Sequence, residues 1–201
     1  MKPFKVLLIS MLLISSTTFA QEKENSDIIM KNILERKSVR TYSDRKVEKE
    51  DLEKLLRAAM AAPTAKNSQP WVFIVVDKKE TLESLAEQLP YASMLKEAQA
   101  AIIVCGNMEK ALEGEGREYW VQDCSAATEN ILLAAESMGL GAVWTGVYPI
   151  KERINIVKVE MKLPENIIPL NVIPIGWQTG KEQPKQKYTE ENIYWNKWED
   201  K

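Results

Sequence analysis

The chain has 201 residues, with 27 Lys and Arg against 29 Asp and Glu, a formal charge of −2 and no histidine. Without histidine, Ser-His-Asp and Cys-His catalysis and the common zinc sites are excluded, and interspersed Lys and Glu give a nucleic acid no net basic face to bind. Chemistry in such a chain comes from a bound cofactor, and any phosphate it meets belongs to a small ligand.

Met1 to Lys5 is basic, Val6 to Ile14 is apolar apart from Ser10, and Thr18-Phe19-Ala20 ends in a small residue. This is the pattern of a signal peptide over residues 1–20, cut before Gln21, and it predicts an exported protein, periplasmic or extracellular. The apolar run is too short to span roughly 30 Å of hydrocarbon, and no other segment approaches that length, so no stable membrane anchor is expected. Residues 21–201 have the size of one domain, which buries roughly 70% of the unfolded chain's surface. Cys105 and Cys124 sit in apolar contexts and read either as a disulfide pair or as small buried hydrophobes.

In chain order, Ser26 is placed to cap a helix from Asp27 to Lys37, with Ile29, Ile33 and Leu34 on its apolar side. Arg36-Lys37-Ser38-Val39-Arg40 closes it. In an extended backbone residues two apart share a face, so Arg36, Ser38 and Arg40 converge, and two forked guanidiniums with a hydroxyl suit a phosphate. The plainer reading is that these cations complement the negative end of the helix. A second helix, Glu48 to Ala62, carries Leu52, Leu55, Leu56, Ala59 and Met60 as its stripe and stops at Pro63. The polar loop Thr64 to Pro70 leads into a strand, Trp71 to Val76, which is apolar on both sides and so expected at the centre of a sheet.

Asp77 is placed to cap a helix over Lys79 to Leu89, and a short helix follows near Met94. Ala100 to Cys105 is a second buried strand. Glu109 to Glu118, charged and holding two glycines, reads as a mobile excursion. Trp120 to Met138 has the longest helical period, with Gly139 as its stop. A short strand from Gly141 to Trp144 runs into Thr145-Gly146, and Lys151 to Met161 is a further helix. Ile167 to Ile175 is a strand in which Pro169 and Pro174 cannot donate to a ladder, which pushes them to its ends or to an edge. The tail beyond Gly176 carries Tyr188, Tyr194, Trp195 and Trp198, and an aromatic set like this is expected to pack on its own domain or on a second subunit.

Lys185 and Lys187 repeat the spacing of two; they either stay solvated or join Arg36 to Arg40 around one phosphate. Asn67 and Gln69 hold both donors and acceptors, which suits a ring edge of alternating N–H and C=O groups or the turns of their own loop. Gly146 either lets a ligand approach the backbone or simply turns the chain. No metal-ligating set is expected.

Four stretches, Arg36 to Arg40, Ala62 to Trp71, Gly139 to Gly146 and Pro184 to Tyr188, together resemble the flavin-dependent nitroreductase family. The resemblance implies an α+β fold: a central mixed, mainly antiparallel sheet flanked by helices, in an intertwined homodimer whose C-terminal tail crosses to the partner. It implies FMN at the subunit interface. By position, Arg36, Lys37, Ser38, Arg40, Lys185 and Lys187 would hold phosphate and ribityl chain, Asn67 and Gln69 the polar ring edge, and Thr145 and Gly146 the region of N5. In some members a polar side chain early in the long helix also touches flavin; here that is Gln122 or Asp123, and an acidic Asp123 departs from the pattern. Lys66 or Lys37 near N1 would stabilise reduced flavin. Trp71 is assigned to the core.

The implied reaction is ping-pong hydride transfer from a reduced nicotinamide, or another donor, through FMN to an electron-poor acceptor such as a nitroaromatic or quinone. It needs no base from the protein. Reductive dehalogenation and non-catalytic flavin binding are the alternatives. Export sits awkwardly with a nicotinamide donor, which is cytosolic.

Overall fold

The computed structural model describes residues 24–198, so the segment read as a signal peptide lies outside the described residues. The elements in order are α1 (24–35), β1 (Tyr42–Ser43), α2 (Lys49–Met60), β2 (Trp71–Val76), α3 (Lys79–Gln88), β3 (Ala100–Asn107), α4 (Tyr119–Ser137), β4 (Leu140–Ala142), β5 (Thr145–Gly146), α5 (Lys151–Met161) and β6 (Ile167–Gln178). They build the expected α+β architecture. The sheet is six-stranded with order β1-β6-β3-β2, β4 and β5 also pairing with β6, and every pairing is antiparallel.

The unbroken apolar run of β3 follows from cover on both faces. Ala100, Ile102 and Val104 join Leu52 and Leu55 of α2 and Trp120 and Ile131 of α4 in one core. Ala101, Ile103 and Cys105 join Leu82 and Leu85 of α3 and Val157 of α5 in the other. Among the described residues no helix is long and apolar enough to cross a membrane.

The prolines mislead about β6, which is the hub of the sheet rather than an edge. Ile175 faces Ala100 on one side and Ala142 on the other, and Val172 likewise faces Ile103 and Thr145. Pro174 falls in the gap between the β5 and β4 pairings, and its carbonyl oxygen lies 3.4 Å from the Tyr42 hydroxyl oxygen. Pro169 lies at a register shift: Val104 pairs with Asn171 and Cys105 with Pro169. The residue left over, Leu170, accepts the N–H groups of Val147 and Tyr148 at 3.1 and 3.0 Å. A missing donor is tolerated at a gap or a bulge.

Conversely, β2 is an edge strand, pairing with β3 alone among the described residues, and Val75 is 39% exposed. Apolar cover on two faces does not require a neighbour on each edge. Smaller corrections follow the same logic of burial over pattern. α1 is helical from residue 24, so Ser26 lies inside it; its Ile28, Ile29, Ile33 and Leu34 are exposed. Met60 of α2 is exposed while Leu52, Leu55 and Ala59 are buried. Lys78, not Asp77, precedes α3, with no side-chain cap. Gly114–Glu118 forms a 3-10 turn at the entrance to α4. Both cysteines are buried free thiols, with Cys124 Sγ 3.5 Å from the Cys105 carbonyl oxygen. In the aromatic tail Tyr188, Trp195 and Trp198 are exposed, while half-buried Tyr194 stacks on Trp198 with ring centroids 4.0 Å apart.

Candidate functional site

α1 ends at residue 35, so Arg36 to Arg40 leave the helix in non-helical backbone. Val39 fixes their orientation. It is wholly buried, its N–H donates to the Ala142 carbonyl at 3.0 Å, and it sits so close over Gly141 that a Cβ there would lie 2.4 Å from Val39 Cγ1. Around this anchor, Arg36, Lys37, Ser38 and Arg40 border a cavity of about 360 Å³ together with Glu182, Gln183, Lys185 and Lys187. The structure thus brings together the two basic clusters that lie far apart in sequence. Two of the cations are tethered to α4: Arg36 Nε is 3.2 Å from Glu129, and Lys37 Nζ is 2.7 Å from Glu136.

The tail reaches this cavity along a series of ties. Tyr42 pairs with Gln178, the hydroxyls of Thr41 and Thr179 lie 3.0 Å apart, and Glu182 Oε1 accepts from Arg40 N–H at 2.8 Å and from Thr41 N–H and Oγ1 at 3.0 Å each. Burial opposes the Glu182 charge, but these donors outweigh it and hold the carboxyl below its ordinary range. Tyr42 packs on Gly176, where a Cβ would meet its ring at 2.7 Å, and its hydroxyl donates to the Val39 carbonyl at 2.8 Å. Burial first, and the Glu182 charge second, push that hydroxyl's pKa up.

A second cavity of about 320 Å³ is bordered by Arg40, Tyr91, Met94, Val143 to Gly146 and Arg153, so Arg40 borders both. Thr145 Oγ1 is buried there with no hydrogen-bond partner. A Cβ on Gly146 would meet nothing within 4 Å, so packing does not demand a glycine at that position. The Gly146 carbonyl accepts from Arg153 Nη1 at 3.0 Å.

Asn67 and Gln69 are not brought to either cavity within the one chain. Their loop is strained: Lys66, Asn67 and Gln69 have φ of 51, 55 and 48°, the left-handed region that side chains disfavour. Gln69 Nε2 donates to Asn67 Oδ1 at 2.9 Å, and the Ala65 N–H donates to Asp123 Oδ1 at 2.8 Å. Buried Asp123 therefore anchors this loop, while Gln122 is exposed on α4. Trp71 is half-buried and packs on the core shared by α2 and α4. Sequence reasoning missed Glu182, Arg153 and the anchoring by Asp123. The one signal for Glu182 was its place three residues before Lys185, indistinguishable from an ordinary surface acid.

The sequence pattern of the Nitroreductase family matches residues 33–90 and 86–177. A protein of Methanothermobacter thermautotrophicus, provisionally named NADH dehydrogenase/NAD(P)H nitroreductase, is 44% identical over 172 residues, which is 85% of this chain and 87% of its own. The crystal structure of a protein of the same provisional name from Parabacteroides distasonis superimposes with a TM-score of 0.80 at 54% identity, covering 85% of this chain and 98% of that one. A third likeness, at 26% identity and TM-score 0.71 over 85% of this chain and 98% of the other, is to a nitroreductase from Desulfovibrio desulfuricans in complex with FMN, its name likewise provisional.

These relatives overturn the expected export. They are named for reduced nicotinamides, donors that are held inside cells, and the likeness gives no support to a periplasmic or extracellular protein. With the family pattern matched from residue 33 to residue 177, and the fold shared with a protein more than half identical, this chain belongs to the nitroreductase family.

Proposed function

We propose that the protein is an FMN-dependent oxidoreductase taking electrons from a reduced nicotinamide and passing them to an electron-poor acceptor such as a nitroaromatic or quinone. The observation that carries this reading is the meeting of Arg36 to Arg40 with Lys185 and Lys187 at one cavity, joined through Arg40 to a second cavity beside Thr145 and Gly146. The residues fit a flavin mononucleotide: one end offers cations to a dianion, and the other offers a buried hydroxyl without a partner and a glycine with open space before it. Relatives named for NAD(P)H and a structural neighbour holding FMN support the same assignment.

When bound, FMN supplies the redox chemistry, accepting hydride in one half-reaction and releasing the electrons in a second, ping-pong fashion. The chain's part is to bind and orient. Arg36 and Lys37, steadied by Glu129 and Glu136, form with Ser38, Arg40, Lys185 and Lys187 the grip on phosphate and ribityl chain. The backbone at Thr145 and Gly146 would hold the ring at its reactive region, with Arg153 donating to the Gly146 carbonyl. Asn67 and Gln69 belong to the polar ring edge and come from a second copy, because their own loop borders neither cavity. The homodimer this requires has its material in the exposed apolar side of α1 and in the exposed aromatic tail, which crosses to the partner. Residues 21–201 then act as one FMN-binding unit.

The test is the visible spectrum of the purified protein, before and after FMN and then a reduced nicotinamide under nitrogen. A flavin band that bleaches is expected. A protein that takes up no FMN would overturn the reading, and a band that no nicotinamide bleaches would leave a flavin binder without this donor.

A further inference from the structure

A carboxylate at a phosphate cavity needs a reason. Glu182 borders the same space as Arg36, Arg40, Lys185 and Lys187, where a negative charge subtracts from the attraction for a dianion. Its hydrogen bonds go elsewhere. One oxygen, Oε1, receives the N–H of Arg40 and both the N–H and the hydroxyl of Thr41, at 2.8, 3.0 and 3.0 Å. These are backbone and hydroxyl donors, not the cationic side chains beside them.

The position of this contact along the tail explains it. After β6 pairs with β1 at Gln178 and Tyr42, the tail is tied at Thr179 through its hydroxyl and next at Glu182. Glu182 is the last of these ties before Lys185. From there the lysines hang on three and five residues of chain, so that Lys185 starts within about 11 Å of a fixed point. Without the tie the fixed point retreats to Thr179, and the lysines spread over a much larger volume, which lowers their effective concentration at the cavity. Both lysines are exposed, so their place depends on their tether.

We propose that Glu182 is a positioning residue: by clamping the tail to the backbone of Arg40 and Thr41, it presents Lys185 and Lys187 to the phosphate of the cofactor. This rests on the reading of that cavity as the FMN phosphate site. The clamp stays closed when phosphate binds, since opening it would break three hydrogen bonds to one carboxylate oxygen and release the two cations that the phosphate needs.

The test is an FMN titration of the full-length apoprotein, followed by flavin fluorescence, for wild type, Glu182→Ala, Glu182→Gln, the pair Lys185→Ala with Lys187→Ala, and that pair combined with Glu182→Ala. Glu182→Ala should weaken binding roughly tenfold, the scale of one lost hydrogen bond to a charged group. Glu182→Gln, which keeps an acceptor oxygen, should recover much of the loss. The lysine substitutions should weaken binding strongly in wild type and little in Glu182→Ala, because untethered lysines no longer count. Losses that simply add would reduce Glu182 to a prop for its loop and overturn the proposal. Equal or tighter binding by Glu182→Ala would overturn it as well, marking the carboxylate as a competitor of phosphate. If thermal unfolding shows Glu182→Ala unfolded, Thr41→Val, which removes one donor to the same oxygen, carries the same cycle. A wild-type protein that binds no FMN would instead fail the underlying reading, and the two failures are thereby told apart.

Discussion

Gly141→Ala tests whether the loop Arg36 to Arg40 is held from behind. The added Cβ would stand 2.4 Å from Val39 Cγ1 and 2.7 Å from Val39 Cβ, whereas carbon atoms rest at about 3.5–4.0 Å, so more than about 1 Å has to be found. Val39 cannot give it by rotating, because its Cβ is itself too close, and its N–H is bonded to the Ala142 carbonyl at 3.0 Å. The backbone between Ser38 and Arg40 must move instead. Overpacking of this kind costs about 1–3 kcal/mol, and each kcal/mol lowers Tm by roughly 2–4 °C in a domain of this size. The same displacement carries Ser38 and Arg40 away from the cavity, so FMN affinity should fall along with Tm. Differential scanning calorimetry of apoprotein and a fluorescence titration with FMN read the two effects separately. Val39→Ala in the same chain should restore part of both, since it removes the methyl at 2.4 Å but not the Cβ at 2.7 Å. A Gly141→Ala protein with unchanged Tm and unchanged FMN affinity would refute this account of how the loop is set.

Asp123→Ala removes the acceptor for the Ala65 N–H at the start of the strained loop and should destabilise the protein by about 1–3 kcal/mol, the penalty of an unmet donor. Turnover and the affinity for FMN should fall together, because that loop would meet the ring edge in the partner's site; Asp123→Asn, which keeps an acceptor, should be milder in calorimetry, FMN titration and steady-state rates. Burial pushes the Cys105 thiol from 9.0 up to about 12 and raises Cys124 as well. Neither should therefore react with iodoacetamide at pH 8 until the protein is unfolded, as mass spectrometry would record. Because the unfolded thiols ionise first, their contribution to stability is complete below pH 9.0 and is lost as the pH climbs toward 12. A thiol alkylated in the native state would contradict the burial.

The meeting of the basic clusters at the candidate site was legible because charge is conspicuous. Arg36, Ser38 and Arg40 announce a shared face by their spacing, and Lys185 with Lys187 repeats it, so their meeting could be framed before any fold was known. Glu182 was invisible for the opposite reason: its partners are backbone N–H groups, which every residue has. The roles of β2 and β6 were interchanged because burial and pairing are different properties. β2 is apolar on both faces yet has one neighbour, whereas β6 keeps neighbours on both edges by placing Pro174 opposite a gap and Pro169 at a bulge. α1 shows helical period without a core to bury it, since its apolar side faces outward in the single chain. A pattern records which side is apolar and says nothing of which chain covers it.

The left-handed backbone at Lys66, Asn67 and Gln69 bears on how such a protein would change under selection. A glycine at position 66 or 69 relieves a side chain from a conformation that disfavours it by about 1–2 kcal/mol, so a screen scored on heat resistance alone would favour glycine there. Glycine at 66 removes the stiffness that keeps the Asn67 and Gln69 amides mutually bonded, and glycine at 69 removes one of those amides outright. Heat-selected lineages of this chain should therefore accumulate glycine in the loop while losing turnover, and lineages selected for turnover should keep the strain.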